Sequence, residues 1–252
     1  MQKHSYFITD KVIVLAHRGG TNPTENTIQA IAKALEAGAD VIETDIQATR
    51  DGIAVLFHDD SIERLTGKKI GVADLEWAEL SKIDLAGGTR VASLEEALRT
   101  FPKTRFNIDV KAEGSIDNLV HVVESHNAHD RILVSSFSNK RRLKALKRFS
   151  QPVATSASAS GVLKTWLFCF FGVSTKKLAK SLEGIGALQI PRHFKFLRLD
   201  TPRFIRQVKA TGTLIHYWTI NEPEEIIELA SLGADGIVTD VPELAVQTLR
   251  KA

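Results

Sequence analysis

Cysteine is almost missing from this sequence: Cys169 stands alone among 252 residues. No intramolecular disulfide can form, and no thiolate-rich zinc site can be assembled. Long apolar runs are missing too. The most apolar stretch, 161–173, is too short to cross a bilayer, and the first ten residues mix Lys3, His4 and Asp10 with scattered apolar side chains. They lack the apolar core of a signal peptide, so cytoplasmic residence is the expectation. No Pro-, Ser- or Gly-rich linker and no low-complexity tract marks a boundary, and 1–252 reads as one domain. Nor is there an excess of one charge: 33 Lys and Arg against 30 Asp and Glu leave a net charge of +3, which is compatible with an anionic ligand but names no partner.

The densest basic run, 140–148, has Leu143 and Leu146 at helical spacing. It predicts an amphipathic helix with a charged outer face rather than a nucleic-acid surface, because no base-stacking aromatic is interleaved. The chain has ordinary globular composition, with 43% hydrophobic and 25% charged residues.

What the chain does have is alternation. Short β-branched runs at 12–16, 40–46, 53–57, 105–110, 131–135, 152–155, 186–190, 213–218 and 236–239 are separated by helical patterns at 27–37, 94–100, 115–127, 139–148, 202–210, 222–232 and 241–249. Repeated βαβ units of this kind predict an α/β chain in which eight parallel strands close into a (β/α)8 TIM barrel. Two helices end in similar text, Gly38-Ala39-Asp40 and Gly233-Ala234-Asp235, where the glycine suits the left-handed turn after a helix. The stretch 59–92 breaks the rhythm and is expected to be a small insertion above the barrel.

Polar residues gather at the C-terminal ends of these runs: His17, Arg18, Glu43, Asp45, His58, Asp109, Lys111, Ser136, Asn221 and Asp240. Barrel enzymes build their active sites at that end. Glu43 and Asp45 lie two apart on one strand and project to the same face, with Asp109 arriving from another strand. Three carboxylates suit a hard cation such as Mg²⁺ or Ca²⁺, with Mn²⁺ a third candidate. His17 and His58 could be ligands or could move protons, and spacing alone leaves both roles open. Asp240, followed by Val241-Pro242, reads as the N-cap of the last helix and is left outside the site; Asp59 and Asp60 read as loop residues.

In order along the chain, His17-Arg18-Gly19, Glu25-Asn26-Thr27, Glu43-Thr44-Asp45, His58-Asp59, Asn107-Ile108-Asp109-Val110-Lys111, Ser135-Ser136-Phe137, Trp218-Thr219-Ile220-Asn221 and 235–240 resemble the motifs of glycerophosphodiester phosphodiesterases. The resemblance implies that Glu43, Asp45 and Asp109 hold a divalent cation, that His17 and His58 are general acid and base, and that Arg18, Lys111 and Trp218 bind substrate. In that family a glycerol hydroxyl attacks phosphorus, expels the alcohol and leaves a cyclic phosphate, which water opens to glycerol phosphate. The implied partner is a small glycerophosphodiester, with no nucleic acid, and no oligomeric state is implied. Two departures stand out: Thr24 precedes Glu25, with the proline one place earlier at Pro23, and the third carboxylate is Asp109 where Glu is common. Glu25 reads as a residue that supports the metal ligands from behind or fixes the loop, with metal ligation the lesser alternative.

The run 161–173 has two readings, a helix facing the core and a lip at the mouth in contact with lipid; the core-facing one is the expectation. Exposure at the mouth would favour lysophospholipase D-like cleavage of acylated substrates. A non-catalytic phosphate-binding barrel is a third reading, opposed by the full set of histidines, carboxylates and cations.

Overall fold

The computed structural model describes residues 4–21, 24–194 and 197–251. Its strands are β1 (Ile13–His17), β2 (Val41–Ala48), β3 (Ala54–Leu56), β4 (Arg105–Val110), β5 (Ile132–Ser135), β6 (Ala154–Thr155), β7 (Ala187–Ile190), β8 (His193–Phe194), β9 (Leu197–Arg198), β10 (Leu214–Tyr217) and β11 (Gly236–Thr239). Between them run α1 (Ile28–Glu36), α2 (Glu63–Thr66), α3 (Trp77–Leu80), α4 (Leu94–Thr100), α5 (Ile116–Ser125), α6 (Asn139–Leu146), α7 (Ala159–Phe170), α8 (Thr175–Ser181), α9 (Pro202–Lys209), α10 (Pro223–Leu232) and α11 (Pro242–Lys251). Eight strands pair in parallel in the order β6-β5-β4-β2-β1-β11-β10-β7, and a parallel bridge between Ser156 and Ala187 joins the two ends. The result is the expected (β/α)8 barrel. The run 53–57 is the exception, because β3 pairs antiparallel with β2 and stays off the barrel.

Strand parity explains how one sequence supplies both core and site. On β2, Ile42 and Ile46 face the helices and join a cluster with Ala34, Leu98, Leu119 and Val122. The alternate residues turn inward, beginning with Val41 in the barrel floor and continuing through Glu43 and Asp45 toward the mouth. Each fully buried Leu or Ile contributes roughly 1.5–3 kcal/mol. The floor is closed from below by the N-terminal segment, where Tyr6 and Phe7 pack with Leu15, Val41, Leu133 and Leu214.

Caps set the helix starts. Thr27, Ser93, Ser138 and Thr201 each accept a backbone N–H from the first turn of α1, α4, α6 and α9. Gly38 and Gly233 follow α1 and α10 at φ of 93° and 101°, in line with the left-handed turn expected there. The segment 59–92 builds a small core from Ile62, Val72, Leu80, Leu85 and Val91, together with Val55 of β3 and Phe57 just beyond it.

Two helix faces differ from expectation. In α6, Leu143 is exposed while Arg142 is buried, its guanidinium donating to Thr155 Oγ1 and Asn139 Oδ1. The inward position lies over a polar strand end, which an arginine with partners fills better than a leucine would. The segment 161–173 faces the core along one side only, where Val162, Trp166 and Phe168 pack half-buried beside Cys169. Only Thr165 and Cys169 of α7 are buried, whereas Leu163, Leu167, Phe170 and Phe171 are exposed. Two helices connect β6 to β7, and α8 contributes Leu178 and Leu182 to the core beside Cys169, which leaves α7 a narrow stripe of contact. Among the described residues no helix is long and apolar enough to cross a membrane.

Candidate active site

All eight residues singled out as catalytic, substrate-binding or metal-binding line one cavity of about 540 Å³ at the C-terminal mouth: His17, Arg18, Glu43, Asp45, His58, Asp109, Lys111 and Trp218. Register explains the convergence. His17 pairs across the sheet with Glu43, Glu43 with Asn107, and Asp45 with Asp109. The chain leaves β1 through a left-handed turn in which Arg18 has φ 58° and Gly19 φ 74°. A Cβ at Gly19 would stand 3.0 Å from the backbone nitrogen of Ile31, so this turn presses directly on α1. Arg18 N–H then donates to Glu43 Oε2 at 3.1 Å.

The carboxylates sit deep in the wall and are held apart by cations. Lys111 Nζ bridges Asp45 Oδ1 at 2.9 Å and Asp109 Oδ2 at 2.7 Å. Arg18 Nε lies 3.2 Å from Asp45 Oδ2 in an ion contact without hydrogen-bond alignment. Burial, followed by the charge of Asp45, pushes Glu43 up to about 8, and burial likewise raises Asp109 despite Lys111. Asp109 Oδ1 is buried without a hydrogen-bond partner among the described residues. Among the described residues no three His, Cys, Asp or Glu side chains converge in the donor geometry of a bound ion. The donor chemistry still fits one: three carboxylates on one wall, one oxygen unpaired, and charge that two side-chain cations leave incompletely offset.

Both histidines have Nδ1 fixed by an aspartate. His17 Nδ1 is 2.6 Å from Asp240 Oδ1, and His58 Nδ1 is 2.7 Å from Asp59 Oδ1. A carboxylate only accepts, so each ring carries its hydrogen on Nδ1 and leaves Nε2 for chemistry. For His17, burial lowers the pKa, but the hydrogen bond to Asp240 and the charge of Glu43 outweigh it and the net shift is upward. Burial would raise Asp240, yet its bonds to His17 and Asn221 hold it below the usual carboxylate range.

Asp240 and Asp59 thus each hold a histidine of the cavity, a contact that their readings as helix cap and loop residue did not include. The helix α11 begins two residues after Asp240, at Pro242. Asp240 Oδ2 accepts from Asn221 Nδ2 at 3.0 Å, and Asn221 Oδ1 accepts in turn from Thr239 Oγ1. The strand-end position of Asp240 was the signal that could have placed it. Asp59 also receives Arg64 Nε at 2.6 Å, and Arg64 bonds to Glu25, which bonds to Arg18. This chain ties the insertion to the carboxylate wall, and no local pattern marked Arg64. Gln47, likewise missed, holds the His58 loop by donating to Asp60 Oδ1 and His58 O. Pro23 lies outside the described residues.

The opposite wall is apolar. Val162, Leu163 and Trp166 of α7 line the cavity with Ile190, Phe194 and Leu199. Trp218 closes one end, edge-to-face with Phe137 at 6.1 Å.

The fold and the site together are a parallel barrel with two histidines, three carboxylates and two cations at its mouth. The sequence profile described as "Glycerophosphoryl diester phosphodiesterase family" matches residues 17–244, and the chain belongs to that family. It is 36% identical to the "Probable glycerophosphodiester phosphodiesterase 2" of Mycobacterium tuberculosis, over 92% of this chain and 88% of the relative. It is 25% identical to a human lysophospholipase D, over 90% and 83%. An Oleispira antarctica phosphodiesterase solved with the product sn-glycerol-3-phosphate superposes with a TM-score of 0.78 at 24% identity, covering 100% of each chain.

Proposed function

We propose that this protein is a divalent-metal-dependent phosphodiesterase that hydrolyses glycerophosphodiesters to glycerol 3-phosphate and an alcohol. The observation that carries this reading is the pairing of two aspartate-locked histidines with three buried carboxylates around one cavity. Glu43, Asp45 and Asp109 would hold the cation, which when bound offsets negative charge on phosphoryl oxygens. Arg18 and Lys111 bring positive donors to the same wall, suited to phosphate oxygens. Trp218 and Phe137 offer an aromatic end wall to the glycerol or headgroup.

His58 takes the proton of a glycerol hydroxyl as its oxygen attacks phosphorus. His17, biased toward the protonated form, gives its proton to the departing alcohol oxygen as the P–O bond breaks. In the second half the roles reverse: water gives a proton to His17 while attacking the cyclic phosphate, and His58 returns its proton to the ring oxygen. Both histidines end as they began.

A second reading is lysophospholipase D-like cleavage of lysophospholipids. It is favoured by the exposure of α7 at the mouth and by the apolar wall of Val162, Leu163, Trp166 and Phe194, and one relative is named a lysophospholipase D. Phosphorus NMR on glycerophosphocholine, glycerophosphoethanolamine, glycerophosphoinositol and lysophospholipids separates the two, with Mg²⁺ and Ca²⁺ added separately and after exhaustive chelation. Glycerol phosphate is expected to appear with cation and to stop on chelation. Undiminished turnover without cation removes the metal assignment, and turnover confined to acylated substrates promotes the second reading.

A further inference from the structure

The outer face of α7 plays no part in the chemistry above. Leu163, Leu167, Phe170 and Phe171 recur at spacings of three and four, which places them on one stripe of the helix and the turn that ends it. Leu163 is 50% exposed, Phe170 62% and Phe171 73%. Exposed apolar side chains are ordinary when scattered, but a contiguous set marks an interaction surface. This set is contiguous: Phe170 stacks on Trp166 at 5.2 Å, Phe171 meets Phe170 edge-on at 5.2 Å, and Leu163 and Trp166 reach the cavity wall. An apolar path thus runs from the site to the surface.

Basic residues are concentrated in this part of the chain in a way the whole-chain total hides. Eleven Lys and Arg lie between residues 131 and 182 without one Asp or Glu, whereas the rest of the chain carries 22 basic against 30 acidic residues. Some of the eleven are spoken for: Arg142 is buried, and Lys144 and Arg148 pair with Glu113 and Asp117. Lys164, Lys176, Lys177 and Lys180 form no ion pair among the described residues, and all four are exposed. They stand on α7 and on α8, the helix just past the Phe171 turn.

We infer that the Leu163–Phe171 stripe with Lys164, Lys176, Lys177 and Lys180 is a docking surface for an anionic phospholipid bilayer, holding the cavity mouth against the membrane. A short helix with aromatic and aliphatic residues outward and lysines beside them has the composition of an interfacial element, and each basic residue near an anionic leaflet adds attraction. A second copy of the chain fits less well, because a two-fold contact through this face would bring the same lysines together. The inference goes beyond the hydrolytic reading, and binding can be measured whether or not that reading holds.

The test is flotation of the full chain with vesicles of phosphatidylcholine alone and of phosphatidylcholine with one-third phosphatidylglycerol. Binding is expected to the anionic vesicles, falling as salt rises. Phe170→Ser/Phe171→Ser should lower the partition coefficient by about tenfold or more. Lys176→Glu/Lys177→Glu/Lys180→Glu should lower it by at least roughly fivefold per lysine. Both variants should hydrolyse soluble glycerophosphocholine at the parental rate. Failure of the parent to float, or parental binding by both variants, overturns the proposal. So does a parental dimer that Phe170→Ser/Phe171→Ser converts to monomer without any vesicle binding, which would assign the face to contact between copies.

Discussion

Asp240 fixes the His17 ring without lining the cavity itself. Its carboxylate accepts the Nδ1 hydrogen at 2.6 Å and is held in turn by Asn221, so the ring is fixed in tautomer and in plane. Asp240→Asn keeps the volume and removes the charge. A fall in kcat of roughly 10²-fold is expected, the usual contribution of a positioned acid or base, with KM changed only a few-fold. The pH profile supplies a readout that a purely structural role would not move. The bond to Asp240 is among the contributions that raise His17, so its loss lowers the His17 pKa. In its proposed role of general acid His17 must be protonated, and the alkaline limb of kcat should move to lower pH. A rate within a few-fold of the parent and an unmoved limb would leave Asp240 as a mere fold contact. His17→Ala and His58→Ala are each expected to cost about 10²-fold or more, with the double variant less than additive because both rings serve one transfer pathway.

At the scale of elements, the α7–α8 pair shows two helices of opposite character held by one narrow seam. Leu178 is 1% exposed and packs with Cys169 and Leu182. Leu178→Ala should destabilise the protein by about 2–5 kcal/mol, whereas Phe170→Ser/Phe171→Ser should change stability by no more than about 1 kcal/mol, because those rings already meet solvent. Denaturant melts of both variants check this, and a large loss in the phenylalanine double variant would mean that the Phe170–Phe171 face is packed against the core. The orientation of α7 was illegible in the sequence for a physical reason: apolar periodicity shows that a helix has a face, not what lies against it. The barrel was legible because strand parity and the polar ends of β1, β2 and β4 repeat the same local rule. Asp240 and Asp59 were not legible as site residues. Asp-Val-Pro looks locally like a helix start, while the partner of Asp240 is 223 positions away. Nine strand runs left open which eight close the barrel; 53–57 is the one that stays off it, because β3 pairs antiparallel with β2.

At the scale of the whole molecule, closing the barrel commits a histidine to its interior. His216 on β10 is fully buried in register with Gly236 of β11, where a Cβ would stand 2.8 Å from the imidazole, so only glycine leaves room for the ring. Among the described residues neither ring nitrogen has a hydrogen-bond partner. Burial pulls its pKa down to about 4, with Arg105 also lowering it and Asp235 opposing. In the unfolded chain the same imidazole takes up its proton near 6.5. The unfolded state therefore binds more protons at every pH between the two values, and stability falls as pH drops through that window. Above about 6.5 the folded state loses nothing by this route; below about 4 the loss is complete, on the order of 3 kcal/mol. At pH 5 it should be about 2 kcal/mol. His216→Gln cannot take up a proton and lacks this part of the dependence, whatever its own stability. Unfolding free energies from guanidinium titrations at pH 7.5 and pH 5 should show the parent losing about 2 kcal/mol more than the variant across that interval. Parallel losses in the two proteins would mean that His216 is protonated as readily inside the barrel as in water, and that the floor of the barrel is not the closed apolar layer formed by Tyr6, Leu15 and Leu214.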